Sequence, residues 1–263
     1  MFRLAVLLVL AFMTLPTVVV MAVSFNPTAI LSFPPSGLSM RWYVNVITYP
    51  QFQRAMWNSL LVTAGAVALA MPIGTAAALA LARGRVRGAS IWATLLLSPL
   101  VVPGVAAGLG FLILGAALGL LRSRSVLIAA HVALVLPFVV RSVGVSVQNL
   151  DPTLERAAAS LGATPWRAFR RVTLPLLRPG LLAALLFAVI VSLNEFVVSL
   201  FISTRLTEIL PVAMFTYVVN YTDPSIAALS TLFIVGTFLV VWLADRFLGL
   251  GHVFLHHRGD GHR

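Results

Sequence analysis

Six long apolar stretches constrain this chain more than any other feature. They cover about residues 4–24, 56–82, 89–117, 125–147, 180–202 and 225–249 of a 263-residue sequence. Each is long enough to cross about 30 Å of hydrocarbon as an α-helix. Only 10% of the residues are charged, whereas a soluble domain carries roughly 25%. The sequence therefore predicts an all-α integral membrane protein, with six transmembrane helices forming one domain over residues 1–263.

The distribution of arginine predicts which loops face the cytoplasm. If the N-terminus is inside, twelve arginines lie in inner segments, five lie in outer segments, and Arg141 lies within the fourth span. Because cytoplasmic loops carry an excess of basic residues, we expect both termini in the cytoplasm. The net charge of +11 is thus attributed to membrane topology, and no nucleic-acid partner is predicted.

Two missing residue types exclude several kinds of site. The cysteine count is 0 and all 18 basic residues are arginine, so thiolate chemistry, a P-loop lysine and a Schiff-base lysine are all excluded. We therefore predict a chain that is not an enzyme, has no cofactor of its own, and would depend on another chain to bind ATP. The tail contains His252, His256 and His257, but it lacks a further ligand, and no metal site is predicted.

Prolines and glycines predict how the spans bend and pack. Pro72, Pro99, Pro103 and Pro137 fall within spans two to four, where they predict kinks or broken helices. Gly108 lies four residues after another glycine, and small residues at this spacing allow helix backbones to approach closely in lipid.

The longest inner loop, residues 151–179, contains two predicted short helices. Asp151 is the predicted N-cap of the first helix, and Gly162 is its predicted end. Thr164 is the predicted N-cap of the second, and Pro175 prevents simple continuation into the fifth span.

The second short helix combines aromatic and basic residues. Trp166 and Phe169 are three residues apart and share a face, whereas Arg167, Arg170 and Arg171 point to other sides. Such a helix suits docking into a groove of a partner protein. It equally suits an interfacial helix that rests on lipid headgroups, with its arginines on phosphates.

The loop resembles the cytoplasmic EAA motif of permease subunits of binding-protein-dependent ABC importers. That pattern is EAA, three residues, G, nine residues, then I-x-LP. The matching positions are Ala157, Ala158, Gly162, Val172, Leu174 and Pro175. The position of the glutamate holds Arg156, and Glu155 is displaced by one residue.

The resemblance extends from about Trp42 to Trp242. The segments SLNEFVVSLF, ILP at 209–211 and Asp223-Pro224 resemble the polyamine/opine/phosphonate branch, and in particular the second permease subunit of spermidine/putrescine systems. The resemblance implies a type I ABC importer permease fold and a multi-pass location in the bacterial inner membrane.

The resemblance also implies partners and a substrate class. The partners would be a separate ATP-binding subunit dimer that holds ATP and Mg²⁺, a second homologous permease subunit, a periplasmic solute-binding protein, and membrane lipid. The substrate would be a polyamine of the spermidine/putrescine type, with an aminophosphonate, an opine or another small solute as alternatives. The residues implied to couple the loop to the ATPase are Glu155, Arg156, Ala157, Ala158, Gly162, Pro165, Trp166, Arg167, Phe169, Arg170, Arg171, Leu174 and Pro175.

Three ionisable side chains are predicted inside the membrane: His131, Arg141 and Glu195. Because buried charges are costly, they are candidates for function. Glu195 with its neighbour Asn194, and with His131 at a similar depth, could form a polar step on a path for a cationic substrate. The alternative is a contact between helices in which His131 or an asparagine partners Glu195. We expect Arg141 to extend towards the inner interface.

Two other classes of membrane protein fit the sequence less well. An ion-coupled secondary transporter would need more buried carboxylates and an internal repeat, and the chain has no convincing repeat. A membrane enzyme would need catalytic or metal-binding groups clustered at one membrane face, and the sequence contains no such cluster.

Overall fold

The computed structural model describes residues 2–84, 86–121 and 123–248, and no β-strand occurs among them. The helices are α1 (Phe2–Val23), α2 (Arg41–Thr48), α3 (Pro50–Ala82), α4 (Ala89–Leu97), α5 (Gly104–Ala117), α6 (Arg124–Gln148), α7 (Pro152–Ser160), α8 (Pro165–Ala168), α9 (Leu174–Leu176), α10 (Arg178–Leu193), α11 (Val197–Ile202), α12 (Leu210–Asn220) and α13 (Ser225–Leu248). Ser98–Leu100 forms a 3₁₀ turn after α4, and Phe169–Thr173 forms a π-helical turn between α8 and α9. The all-α prediction is confirmed.

Three of the described helices, α1, α3 and α6, are long and apolar enough to cross a membrane. Two bent pairs, Ala89–Leu100 with Gly104–Ala117 and Pro165–Leu176 with Arg178–Leu193, would raise the number to five if each pair formed one span. The apolar part of α13, Ser225–Val240, is shorter. Helices thus occupy all six predicted apolar stretches, and the count of six spans stays a prediction.

The third apolar stretch breaks where its prolines lie. Pro99 is in the 3₁₀ turn after α4, Pro103 directly precedes α5, and the helix pair bends by 99°. Proline removes a backbone donor and collides with the carbonyl four residues earlier. Pro72 and Pro137, by contrast, lie inside the continuous helices α3 and α6. In the second to fourth apolar stretches, the break therefore occurs where two prolines follow each other closely.

The fifth apolar stretch differs from the single segment predicted over 180–202. Residues 194–196 separate α10 from α11. The Glu195 carboxylate accepts a hydrogen bond from the Val198 backbone N–H at 2.7 Å and so caps the start of α11. A side chain that bonds to its own backbone in this way replaces part of the helical ladder. Asn194 and Glu195 therefore lie at a break between two helices.

The described chain forms two compact units. One contains the described residues up to Asn58 together with Glu208–Val240, and the other contains Ser59–Thr207 with the described residues from Val241 onward. The core of the first unit is aromatic, with Trp42, Phe52 and Tyr217 packed beside small and aliphatic residues of α12 and α13.

The core of the second unit lies where α6 packs along α10. Three valines of α6 (Val135, Val139 and Val143) face alanines of α10 (Ala184 and Ala188). Small residues let the two backbones approach closely, which in lipid is a main source of helix association. A small residue likewise lets α5 pack closely on α11, since a Cβ atom at Gly108 would lie 2.6 Å from Phe201 Cδ2. The close approach predicted for Gly108 is confirmed.

Candidate functional site

The first helix of the 151–179 loop begins and ends as the sequence predicts. The Asp151 carboxylate accepts a hydrogen bond from the Thr153 backbone N–H at 2.8 Å. This bond, the Thr153 hydroxyl and the nearby Arg156 lower the pKa of the Asp151 carboxyl below its usual value. The chain then turns at Gly162, whose φ of 83° is in the left-handed region that favours glycine.

The second helix of the loop presents an exposed tryptophan beside a half-buried phenylalanine. The Thr164 hydroxyl accepts a hydrogen bond from the Arg167 backbone N–H at 3.3 Å and caps α8. The Trp166 and Phe169 rings stack with their centroids 5.6 Å apart. Trp166 is 69% exposed. Because a large aromatic side chain this exposed leaves apolar surface in water, Trp166 is suited to burial against another surface.

The remaining loop residues surround this aromatic pair. Exposed arginines lie at positions 156, 167, 170 and 171, and no described carboxylate lies within ion-pair distance of them. Ala157 and Pro165 are also exposed, whereas Ala158, Leu174 and Pro175 are half-buried. The loop thus offers an aromatic centre with a basic rim, which is a common composition for a protein interface.

Glu155 connects the loop to the end of α3. Its Oε1 atom accepts hydrogen bonds from the Arg83 guanidinium and from the Thr173 hydroxyl, and Arg83 and Glu155 form an ion pair. Thr173 is buried, in the π-helical turn. Sequence reasoning placed Glu155 in the loop but missed both partners. The Arg83–Glu155–Thr173 link holds the loop to a long helix.

His131 is buried in a polar network rather than paired with Glu195. The ring is 1% exposed. Its Nδ1 atom lies 2.8 Å from Ser192 Oγ and its Nε2 atom lies 2.9 Å from Ser199 Oγ. Ser192 Oγ also lies 2.9 Å from Thr63 Oγ1. The predicted contact between His131 and Glu195 is therefore wrong, because both ring nitrogens already have hydroxyl partners on α10 and α11.

Glu195 and Asn194 lie at the break between α10 and α11. Glu195 is half-buried, and its Oε1 atom bonds to the backbone of Val198. Asn194 is exposed and donates from Nδ2 to the Ile190 carbonyl at 2.8 Å. No described basic side chain forms an ion pair with Glu195. Its negative charge is balanced only by a backbone donor, so it remains able to attract a cation.

Glu208 is a buried carboxyl group that sequence reasoning missed. It is 9% exposed, and its Oε2 atom accepts a hydrogen bond from Gln51 Nε2 at 3.0 Å. Its backbone carbonyl accepts from Asn58 Nδ2 at 2.9 Å. None of the six long apolar stretches includes it. The apolar run from Ile209 onward, which forms α12, was the signal that could have found it.

Metal binding is the remaining question about the site. His252, His256 and His257 lie outside the described residues. Within the part of the chain that the structure describes, no group of three or more histidine, aspartate or glutamate side chains could hold a metal ion.

Comparison with known proteins identifies relatives over nearly the whole chain. The family model for the binding-protein-dependent transport system inner membrane component matches residues 2–248. The putrescine transport system permease protein PotI of Escherichia coli (strain K12) is 33% identical over 250 residues, which cover 92% of this chain and 89% of PotI. The spermidine/putrescine transport system permease protein PotC of Haemophilus influenzae is 29% identical over 238 residues, covering 90% and 92% of the two chains.

Solved structures share the fold. A bacterial ABC transporter involved in the import of the acidic polysaccharide alginate superimposes with a TM-score of 0.72 at 18% identity, covering 94% of this chain and 95% of that chain. A bacterial alginate ABC transporter in complex with a periplasmic protein bound to an alginate pentasaccharide also gives 0.72, at 16% identity. The architecture is therefore that of a type I ABC importer permease.

Proposed function

The chain belongs to the family of binding-protein-dependent transport system inner membrane components, and on that premise we propose that it carries a polyamine of the putrescine or spermidine type into the cytoplasm. Membership confirms the family predicted from the sequence. As a permease subunit of an ABC importer, the chain is a transport component. The substrate, the partners and the direction of force transmission are the proposed parts.

The substrate proposal depends chiefly on the 33% identity to PotI over 92% of this chain. Glu195 adds a chemical argument, since it is a half-buried carboxylate without a basic partner among the described residues. An ammonium group of a polyamine would supply the missing positive charge. Aminophosphonates and opines carry anionic groups that the same carboxylate would repel, so they are the less favoured substrates.

The proposed partners are an ATP-binding subunit dimer, a second homologous permease subunit and a periplasmic solute-binding protein. We place the ATPase contact at the 151–179 loop because Trp166 is exposed and the arginines around it make the rim basic. Closure of the dimer on ATP and Mg²⁺ would move the loop. The Arg83–Glu155–Thr173 link would pass that movement to α3, so that the permease pair alternates between inward-facing and outward-facing states.

The proposed topology has six spans, both termini in the cytoplasm, and one transmembrane domain over residues 1–263 of a bacterial inner-membrane protein. The chain has no cysteine, so single cysteines can be labelled without background. We expect Ser160→Cys, in the inner loop, to react with an impermeant maleimide only in inverted vesicles. Leu118→Cys should react only from the periplasmic side. Labelling of Ser160→Cys from outside would contradict the topology.

A reconstituted system tests the function. The chain is co-expressed with candidate ATP-binding, permease and solute-binding subunits, purified through a tag, and incorporated into liposomes. We expect an ATPase chain and a second permease to co-purify, and ATP to drive putrescine uptake that excess spermidine inhibits. If polyamines do not affect uptake and an aminophosphonate inhibits it, the polyamine assignment is wrong and an aminophosphonate is the substrate. Uptake driven by an ion gradient without ATP would overturn the mechanism.

The substitution Glu195→Gln removes the charge of the side chain but keeps its role as the cap of α11. The variant keeps an oxygen that can accept the Val198 N–H bond, so α11 stays capped. Loss of one attractive charge on a desolvated path costs about 1–3 kcal/mol, which corresponds to roughly a five- to hundredfold slower uptake if this step limits the rate. The measurement is the initial rate of putrescine uptake at equal amounts of folded transporter.

His131→Gln provides the matched control for Glu195→Gln. His131 bonds to Ser192 and Ser199, so its loss should lower thermal stability, without the selective loss of cation uptake expected for Glu195→Gln. Normal uptake by Glu195→Gln would exclude this residue from the path. A shared loss of stability in both variants would make Glu195 purely structural.

A further inference from the structure

A cavity whose wall is mostly apolar is lined neither by Glu195 nor by any residue of the 151–179 loop. It has a volume of about 380 Å³ and is lined by α3, α4 and α6 near the ends of α3 and α6. Its polar lining consists of Arg141, Ser90 and Gln148, and no acidic residue lines it. Arg141 is the charged group of the lining, and the proposed transport path does not use it.

The Arg141 side chain is exposed, and its guanidinium has no hydrogen bond or ion pair with any described residue. It lies seven residues before the end of α6, or about 10 Å along the helix axis. A cation on a spanning helix normally pairs with a counter-charge. Because the described chain supplies none, an external anion is the natural counter-charge.

Other groups in the cavity also favour an anion. Ala89 and Ser90 are the first residues of α4, a nine-residue helix, and the first N–H groups of a helix have no partner within it. These N–H groups and the partial positive charge at the helix start attract negative groups. The Ser90 hydroxyl and the Gln148 amide supply two further donors. The donors come from both sides of the cavity.

The rest of the cavity wall is apolar. Leu81, Val140 and Val145 line it together with several alanines. A soluble anion would gain nothing from these side chains, whereas a lipid can place its headgroup on the donors and its acyl chain along the wall. We propose that this cavity binds the headgroup of an acidic phospholipid, with Arg141 as the counter-charge of its phosphate.

The purified transporter complex that contains this chain tests the proposal. Native mass spectrometry compares retention of phosphatidylglycerol and of phosphatidylcholine with the same acyl chains. We expect phosphatidylglycerol to bind more tightly, and Arg141→Gln to weaken it about fivefold or more, since one basic residue near lipid contributes roughly 1 kcal/mol. Arg246→Gln, which removes an exposed arginine from the last turn of α13, should leave retention unchanged.

A second pair of variants tests the cavity without changing its charge. A side chain at Gly144, which lines the cavity, meets no atom within 4 Å of its Cβ position. Gly144→Leu should therefore fold, fill the space and displace the lipid. Gly236 has equally open surroundings on α13, so Gly236→Leu is the steric control.

The outcomes that overturn the proposal are distinct. Equal retention of both lipids, or equal retention by wild type and Arg141→Gln, would exclude a headgroup site. Displacement of phosphatidylglycerol by millimolar inorganic phosphate would make it a site for a free anion. A disulfide between Arg141→Cys and a cysteine that replaces an acidic residue of the second permease would make the cavity a subunit contact. Binding is read without transport, so a wrong substrate assignment would not affect the result.

Discussion

Trp166→Asp is expected to abolish ATP-driven uptake while leaving the affinity of the solute-binding protein for its ligand unchanged. Trp166 is 69% exposed and stacks on Phe169, as expected for a residue buried by a partner. A central tryptophan of an interface contributes about 3 kcal/mol or more, which is over about a hundredfold in affinity. The measurements are co-purification of the ATPase chain and ligand-stimulated ATP hydrolysis, and both should be lost.

Two further variants make this result specific. Trp166→Phe keeps an aromatic ring and should retain most uptake. Gly162→Pro should fail like Trp166→Asp, because proline cannot adopt the φ of 83° that turns the chain between the two loop helices. If Trp166→Asp still brings down the ATPase and transports normally, the helix rests on lipid headgroups instead.

Gly180→Val is expected to give the largest loss of stability. A Cβ atom at this position would lie 2.7 Å from Ser146 Cβ and 3.0 Å from the Ser142 carbonyl oxygen. Backbone atoms cannot yield as a flexible side chain does, so α10 would have to move away from α6. Such overpacking costs about 3 kcal/mol, and the loss should appear as aggregated protein and a lower Tm in detergent.

Gly236→Val is the matched control for Gly180→Val. Both substitutions put the same β-branched side chain into a helix, but the Cβ position of Gly236 has no neighbour within 4 Å. Any cost of helix propensity is therefore shared. Equal Tm values for the two variants would show that the close approach of α6 and α10 does not limit stability.

Features that depend on neighbouring residues could be predicted from the sequence. The caps at Asp151 and Thr164 and the turn at Gly162 each involve hydrogen bonds or dihedral angles within about four residues. Local motifs of this kind look the same in every fold. Two prolines four residues apart similarly indicated where the third apolar stretch breaks.

Partners that are distant along the chain could not be predicted. Arg83 and Glu155 are 72 positions apart, and His131 is 61 positions from Ser192. A match in membrane depth suggested Glu195 as the partner of His131. Depth alone does not say which way a side chain points around its helix, and serines of α10 and α11 lie closer to the ring.

The burial of Glu208 could not be predicted from the sequence either. Its nearest side-chain donor, Gln51, is 157 positions away along the chain. The apolar run that follows Glu208 is too short for a spanning helix, so it does not indicate a buried position. Glu208 contacts residues far along the chain, such as Gln51 and Asn58, and hydropathy along the chain does not report such contacts.

The sequence by itself determined the all-α class, the apolar helical stretches and the family, because apolar length and local motifs are properties of short segments. The tertiary structure alone decided which polar groups meet: the Arg83–Glu155–Thr173 link, the histidine–serine network, and the cavity that contains Arg141. The physical reason is that rotation of each helix about its axis selects its partners. That rotation is set by close packing at positions such as Gly108 and Gly180, where any of several rotations would satisfy the apolar pattern equally well.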